Sequence, residues 1–529
     1  MGPRIAPLAP VLGVVSLALL ATGTAPCQDA LLLRAHFGEG DDHHLGLSVA
    51  GLGDIDGDGV PDYAVGAPFW SGTAGPERGK VYVHSGVDGS LIRAHAGAGV
   101  FDDFGFSIAS AGDVDGDGAE DLLVGAWSFN GPAGQDAGRA YIYSGGDGSL
   151  IRVFDGEEAL DEFGSTVSGA GDVNGDGVGD QIISAPFHSL PGSSGDGRVY
   201  VFSGSDGTLL HIVNGTALGQ GIGTSLAGAG DLDGDGRGEF AVGAIAGGPG
   251  MEGSVIVYSG LDGTPLRVFT GENPVDFFGR SVANVGDLDG DGFDELAVGA
   301  PFADTPDRGR VYVYSGLDGS LIYSRQGTQN SFLGTSVAAA GDVDGDGTLE
   351  VAVGAPQLSP PGGAFAGGVF LYSGAAGILV DVIEGEQPAG GLGISLAGIG
   401  PLDCVGESEL IVGGDFIDAP GGSNNGAALV VVFEAIDPEP FHRGDVDGDG
   451  AAAVADALAA LGYLFQLQGA PPCLSAADVN DDGRINIVDP IFLLNHIFSP
   501  TPPPVPAPAG SCGFDTTADL VCCEDPPCP

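Results

Sequence analysis

The chain has 529 residues, with 16 basic and 72 acidic side chains and a net charge of −56. That balance excludes nucleic acid as a partner, because phosphate binding needs clusters of Lys and Arg, and it excludes a polybasic membrane-surface patch. The 98 Gly and 35 Pro would read as disorder if they had no period. Here 43% of residues are hydrophobic and the glycines recur at fixed steps, which points to an ordered repeat array.

Residues 1–30 read as an export signal. Arg4 supplies the positive start, Val11–Ala21 is the apolar run, and small residues follow. The run is too short to span a bilayer, and no later one approaches the roughly 18 apolar residues of a membrane helix. The expectation is a mature chain without a transmembrane segment, secreted or held at the cell surface, of a bacterial type. Export permits disulfides. Four of the seven cysteines (Cys512, Cys522, Cys523 and Cys528) fall in the Pro- and Cys-rich tail 500–529, and their connectivity is open.

From residue 31 to 433 one phrase returns. It begins at Asp54, Asp113, Asp172, Asp231, Asp287 and Asp342, in steps of 59, 59, 59, 56 and 55 residues. A seventh, degraded copy surrounds Leu392-Gly393 and Ile411–Gly414. Each copy parses into four short strands. In the first these are Leu45–Gly51, Asp62–Pro68, Lys80–His84 and Leu91–His95, with the Asp88-Gly89 hairpin signal before the last. Four strands repeated seven times predict an all-β, seven-bladed β-propeller. The seventh copy stops after Ala428–Phe433, whereas Leu31–His36 (LLLRAH) matches the fourth strand Leu91–His95 (LIRAH). Leu31–His36 is therefore expected to complete the last blade and close the ring, removing open sheet edges.

Between first and second strands lies an acidic loop, Asp54-x-Asp56-x-Asp58-Gly59-x-x-Asp62, with Val60 at the position that offers a backbone carbonyl. Oxygen ligands at alternate positions and a glycine at the sixth are the grammar of a Ca²⁺ loop. The lack of His and Cys disfavours Zn²⁺. The second copy supplies Asp113, Asp115, Asp117, Ala119 and Asp121, and the third Asp172, Asn174, Asp176, Val178 and Asp180. The fourth supplies Asp231, Asp233, Asp235, Arg237 and Glu239, and the fifth Asp287, Asp289, Asp291, Phe293 and Glu295. The sixth supplies Asp342, Asp344, Asp346, Thr348 and Glu350. The seventh has Pro401 and Val405 at ligand positions and is expected to hold no ion.

With Phe104-Gly105, Phe163-Gly164 and Phe278-Gly279 before these loops, and Gly66-Ala67-Pro68, Gly299-Ala300-Pro301 and Gly354-Ala355-Pro356 after them, the region resembles the FG-GAP repeats of the integrin alpha-chain N-terminal propeller. The resemblance implies an extracellular binding and adhesion role.

After a linker at 434–440 the pattern changes. Over 441–499, two loops open with Asp445, Asp447, Asp449, Ala451 and Asp456, and with Asp478, Asn480, Asp482, Arg484, Asn486 and Asp489. A helical apolar pattern follows each, through Ala457, Leu458, Leu461, Leu464 and Phe465, and through Ile491, Leu494, Ile497 and Phe498. This double loop–helix module resembles a type I dockerin, which implies an EF-hand-like calcium domain and a cohesin-like partner. Where cellulosomal dockerins often carry Ser-Thr, this chain has Val454-Ala455 and Ile487-Val488. A self-contained calcium-stabilised spacer is the other reading of the module. In Arg443-Gly444-Asp445, Asp445 is read as the first calcium ligand rather than as part of an adhesion tripeptide.

In a four-strand meander the second-to-third and blade-to-blade connections share one face. The second-to-third segments vary between copies: Phe69–Arg78, Ala126–Gly138, Phe187–Arg198, Ile245–Gly253, Phe302–Arg310, Gln357–Gly367 and Asp415–Gly426. Variation on a fixed scaffold marks a surface free for binding. Trp70 and Trp127 fall in this set and are the candidate ligand contacts, for an extracellular protein or polysaccharide, against a purely structural role as a roof over the propeller. No HExxH, GxSxG or Walker motif occurs, and His43-His44 lacks a third ligand. The leading reading is a non-catalytic binding protein. The alternative is a polysaccharide-acting enzyme, or a component of an enzyme complex, assembled through the dockerin-like module, since a glycosidase needs only two carboxylates.

Overall fold

The computed structural model describes residues 29–72, 75–190, 195–215, 221–248, 250–343, 348–360, 363–402, 408–419 and 423–434. It also describes 454, 457–458, 460–461 and 488–498. Residues 1–28 of the expected signal, the tail and its cysteines, Cys404, residues 435–440 of the expected linker and the Arg443–Asp445 tripeptide lie outside the described residues, whereas residues 29–30 and 434 are in strands. Two compact units form, one containing Leu32–Phe433 and one containing Glu434–Pro529.

The first unit is a seven-bladed propeller of four-stranded antiparallel sheets. Blade one shows the pattern: β2 (Ser48–Leu52), β3 (Asp62–Ala67), β4 (Lys80–His84) and β5 (Leu91–Ala96), paired in chain order. Position in the blade dictates composition. The innermost strands converge on the axis and are built of small residues, as in IASAG and VAAAG. The second strands are buried along their whole length, and the outermost strand alternates exposed and half-buried positions.

The innermost strands are β2, β6 (Ile108–Gly112), β10 (Val167–Gly171), β14 (Ile222–Gly230), β18 (Ser281–Asn284), β22 (Val337–Gly341) and β26 (Ser395–Gly400). Each touches its neighbours, and β26 returns to β2 to close the circle. The seventh blade pairs in the order β1 (Asp29–Phe37), β28 (Ala427–Glu434), β27 (Glu409–Gly414), β26. The strand expected to complete the ring thus stands in the fourth position of the last sheet.

Three devices join neighbouring blades. The first is the Phe-Gly element, which wedges between them. Phe104 is fully buried edge-on against Tyr141, with ring centroids 5.4 Å apart, and its backbone bridges Gly79 of blade one. A Cβ on Gly79 would lie 2.1 Å from the Phe104 carbonyl oxygen, so only glycine fits. The second is a serine two residues beyond the glycine, which donates to the next blade's Phe-Gly or Leu-Gly carbonyl: Ser48 to Gly105 at 2.7 Å, Ser225 to Gly279 at 2.8 Å, Ser281 to Gly334 at 2.9 Å, Ser336 to Gly393 at 2.8 Å and Ser395 to Gly46 at 2.7 Å. The third is a cation on the outer strand, which clamps the next blade's hairpin carbonyls. Arg93 holds Ser144 and Gly146 at 3.0 and 3.1 Å, and Arg34 holds Gly86 and Val87 at 2.5 and 2.6 Å.

In the second unit, helical residues at 454, 457, 458, 460 and 461 precede a helix at Val488–Phe498. Ala457 and Leu493 are buried together, with Phe492, Leu494 and Ile497 packed beside them. Of the apolar positions in the sequence pattern, Leu458 and Ile491 are instead 62% and 50% exposed. No described helix is long and apolar enough to cross a membrane.

Candidate functional site: the acidic loops

Each acidic loop is organised by its first carboxylate. Asp54 Oδ1 accepts from the amides of Gly57 (2.8 Å) and Asp58 (3.1 Å), and Oδ2 from Gly59 (2.8 Å). Asp113, Asp172, Asp231 and Asp287 make the same three bonds. Asp58 Oδ1 then accepts from Val60 N at 3.0 Å, and Asp117, Asp176, Asp235 and Asp291 accept likewise from Ala119, Val178, Arg237 and Phe293. The turn needs glycine twice. Gly57 has φ +81° and Gly59 φ +95°, and nothing would obstruct a Cβ at either, so the backbone angle alone selects the residue. The sequence reading credited only the second.

This wrapping draws carboxylates together. In the first and fifth loops, oxygens of Asp54, Asp56 and Asp58, and of Asp287, Asp289 and Asp291, lie within 4.8 Å of one another. In the second and fourth, Asp113, Asp115 and Asp121, and Asp231, Asp233 and Glu239, do the same. Burial and the neighbouring Asp58 charge push Asp56 above the usual carboxylate range. In the third loop Asn174 replaces one charge and donates to Asp180 at 3.3 Å. In the sixth, Asp344 and Asp346 lie outside the described residues. Asp342, Thr348 and Glu350 are described there, and Glu350 is buried and accepts from Val343 N at 2.9 Å.

The ninth-position acid does more than the ligand grammar suggested. Asp62 is fully buried, with Oδ2 accepting from Ile55 N in the loop (2.9 Å) and Oδ1 from Gly86 N in the hairpin between β4 and β5 (2.8 Å). Asp121, Asp180, Glu239 and Glu295 bridge loop and hairpin in the same way. Desolvation outweighs these bonds, and Asp121 and Asp180 are pushed up to about 6, Glu239 and Glu295 to about 7. The seventh loop keeps this acid: Glu409 is buried and accepts from Leu402 N at 2.6 Å. The hairpin serine supports the fifth position, Ser205 donating to Asp176 at 2.7 Å and Ser144 to Asp117 at 3.3 Å. The recurring Ser-Gly before the Asp-Gly turns was the signal for the hairpin glycine amides and for Ser144, whereas Ser205 follows that pair.

Among the module residues, Asp445, Asp447, Asp449, Ala451, Asp456, Asp478, Asn480, Asp482, Arg484 and Asn486 lie outside the described residues. Asp489 is in the helix Val488–Phe498.

The tryptophans are not brought together by any described ring contact. Trp70 Nε1 donates to Glu39 at 2.9 Å; Lys80 pairs with Glu39 at 2.7 Å and stands 4.9 Å from the Trp70 ring centre. Trp127 packs edge-on against Phe106 at 5.9 Å, its indole N–H buried without a partner. A further cluster, Glu158, Asp161 and His188, centres on a 2.8 Å bond between His188 Nδ1 and Asp161. Asp161 also accepts from Glu158 N, as Asp102 does from Gly99 N at the matching turn of the neighbouring blade, so the cluster is explained as a turn cap.

A closed ring of seven four-stranded blades, with an acidic turn in the first six sequence copies, defines a repeat scaffold. The FG-GAP repeat matches residues 45–84, 104–143, 163–202, 278–314 and 333–372, and the dockerin type I domain matches 443–498. The propeller is thus an FG-GAP propeller, and a dockerin type I domain follows it. Integrin alpha-PS2 of Drosophila melanogaster is 35% identical over 226 residues, covering 39% of this chain and 16% of that protein. Integrin alpha-5 of Xenopus laevis is 34% identical over 250 residues (44% and 23%), and integrin alpha-V of Gallus gallus is 34% identical over 242 (43% and 23%). The chain spans about a fifth of the length of these relatives.

Proposed function

We propose that the protein is an exported, calcium-binding, non-catalytic binding or adhesion protein, with a ligand face on the propeller and attachment through its dockerin domain. The observation that carries this is the loop itself. Six sequence copies specify oxygen-only turns, and in each of the first five the first carboxylate is held by three backbone amides. Carboxylate oxygens crowded within 4.8 Å repel unless a cation neutralises them. The residues that would hold Ca²⁺ are Asp54, Asp56, Asp58, the Val60 carbonyl and Asp62, with their counterparts in the next five loops. The ion would supply charge neutralisation and a fixed turn.

The ligand face is the opposite one, where the connections vary, for an extracellular protein or polysaccharide. The integrin names among the relatives favour a protein. In the dockerin domain the partner is cohesin-like, and Val454, 40% exposed where cellulosomal dockerins often carry Ser, presents an apolar contact in place of a hydroxyl. The test is capture by the full chain from cell-surface and secreted fractions, in calcium and in EDTA. A specific partner whose capture falls with Trp127→Ala at unchanged melting temperature supports the reading, and capture indifferent to calcium and to every substitution on the variable face refutes it.

A further inference from the structure

The innermost strands leave a channel along the propeller axis. At the face of the blade-to-blade connections its mouth is a cavity of about 290 Å³. One residue per blade, the one after each Phe-Gly or equivalent glycine, rings it. Blades seven, one and two contribute Ile394, Leu47 and Phe106, a continuous apolar arc. Blades three to six contribute Ser165, Thr224, Arg280 and Thr335, a polar arc with a single charge.

Arg280 departs from what cations do elsewhere in this chain. Among the described residues every other arginine, and Lys80, bonds an oxygen of the protein. Arg34, Arg93, Arg152, Arg267 and Arg325 clamp hairpin carbonyls. Arg78 and Arg237 hold other backbone carbonyls, and Arg139, Arg198, Arg308, Arg310 and Lys80 hold side-chain oxygens. For Arg280 neither a hydrogen bond nor an ion pair is seen. Its side chain lines the channel mouth and is exposed to water there. On the adjacent blade, and lining the same cavity, the Thr224 hydroxyl is buried without a hydrogen-bond partner. Among the described residues, no acidic side chain is set against this cation.

We propose that the mouth captures the C-terminal residue of a partner polypeptide that ends in an apolar side chain, a reading that rests on this being the ligand face. The terminal carboxylate meets the fork of Arg280, a geometry suited to two parallel N–H···O bonds, and the Thr224 hydroxyl, shielded in the wall of the free protein, turns toward it. The apolar side chain lies on Leu47, Phe106 and Ile394. Seven strands wall the cavity on all sides, so a chain enters end-on and not through its middle. A sugar acid offers the same carboxylate, but its hydroxyls would lie unpaired against the apolar arc.

The test is ligand-observed saturation-transfer NMR on the full chain in calcium, with N-acetyl-leucine, N-acetyl-leucinamide and glucuronate as probes. Expected are transfer from N-acetyl-leucine, at least tenfold weaker binding of the amide, and no transfer from glucuronate. Arg280→Gln weakens N-acetyl-leucine at least tenfold without lowering the melting temperature, because the arginine has no internal bond to lose. Arg280→Lys, which keeps the charge and loses the fork, lies between. Should Arg280→Gln fail to fold, the proposal falls or stands on Thr224→Val, expected to weaken binding several-fold in a stable protein. Equal binding of acid and amide, preference for glucuronate, undiminished binding by the variants, or no transfer from N-acetyl-leucine would each overturn it. Cell-surface capture that survives Arg280→Gln would overturn the channel site and leave the wider ligand face standing.

Discussion

Ser395 donates its hydroxyl proton to the carbonyl of Gly46 at 2.7 Å, across 349 residues of chain. The bond repeats, at the seam between last and first blades, the one that Ser281 makes with Gly334 inside the array. A half-buried hydrogen bond of this kind contributes about 0.5–1.5 kcal/mol. Ser395→Ala and Ser281→Ala are therefore expected to lower stability by similar amounts in urea titrations. A seam variant without effect, beside a costly internal one, would show that the ring is closed by strand pairing alone.

Calcium removal should be far more consequential. Extracellular sites bind Ca²⁺ at about 10⁻⁴–10⁻³ M, and at a hundredfold excess each contributes about 2.7 kcal/mol. EDTA should lower the melting temperature sharply. Asp113→Ala should reduce the bound calcium by one ion in equilibrium dialysis. A melt insensitive to EDTA would refute the calcium assignment.

Without calcium, pH dependence should run opposite to ordinary acid denaturation. Asp121 and Asp180 are raised to about 6, and Glu239 and Glu295 to about 7, chiefly by burial. The folded form keeps these protons to higher pH than the unfolded chain, whose carboxyls titrate near 4, so stability falls as pH rises from about 4 to about 7. In EDTA the protein should melt higher at pH 5 than at pH 8. In saturating calcium, which favours the ionised carboxylates, the order should reverse.

Glu409 separates the two roles of the ninth-position acid. It keeps the bond to the loop backbone in the one copy whose ligand positions have been replaced. Glu409→Ala orphans a buried amide and should cost about 1–3 kcal/mol, equally in calcium and in EDTA. Asp121→Ala should cost more in calcium than without it. Equal calcium dependence of both variants would give the seventh loop an ion.

The blade number, the closing strand and the first, third and fifth loop positions were legible because each is written many times in one chain, and accidents do not recur at steps of 55 to 59 residues. The joints between blades were not. The partners of Ser48 and Arg93 lie 57 and 51 residues away, on a neighbouring sheet whose placement only the ring determines. The neighbours of Trp70 were hidden for a related reason, since Glu39 and Lys80 meet it at the seam between blades seven and one. Arg280 escaped notice because a reading built on repetition passes over the residue that appears once.

In blades one to six, a tight Ser-Gly-to-Ser or similar turn joins the last two strands. In the seventh those places are filled by Ala427–Glu434 and Asp29–Phe37, with no turn between them. The circle therefore has one latch, and its topology has no other starting point. A short turn written across that gap would leave every sheet intact and free any blade-to-blade connection to become the new beginning of the chain. As made, the molecule cannot latch until its last blade has been synthesised, so the first strand must wait, unpaired, for some four hundred residues to follow it.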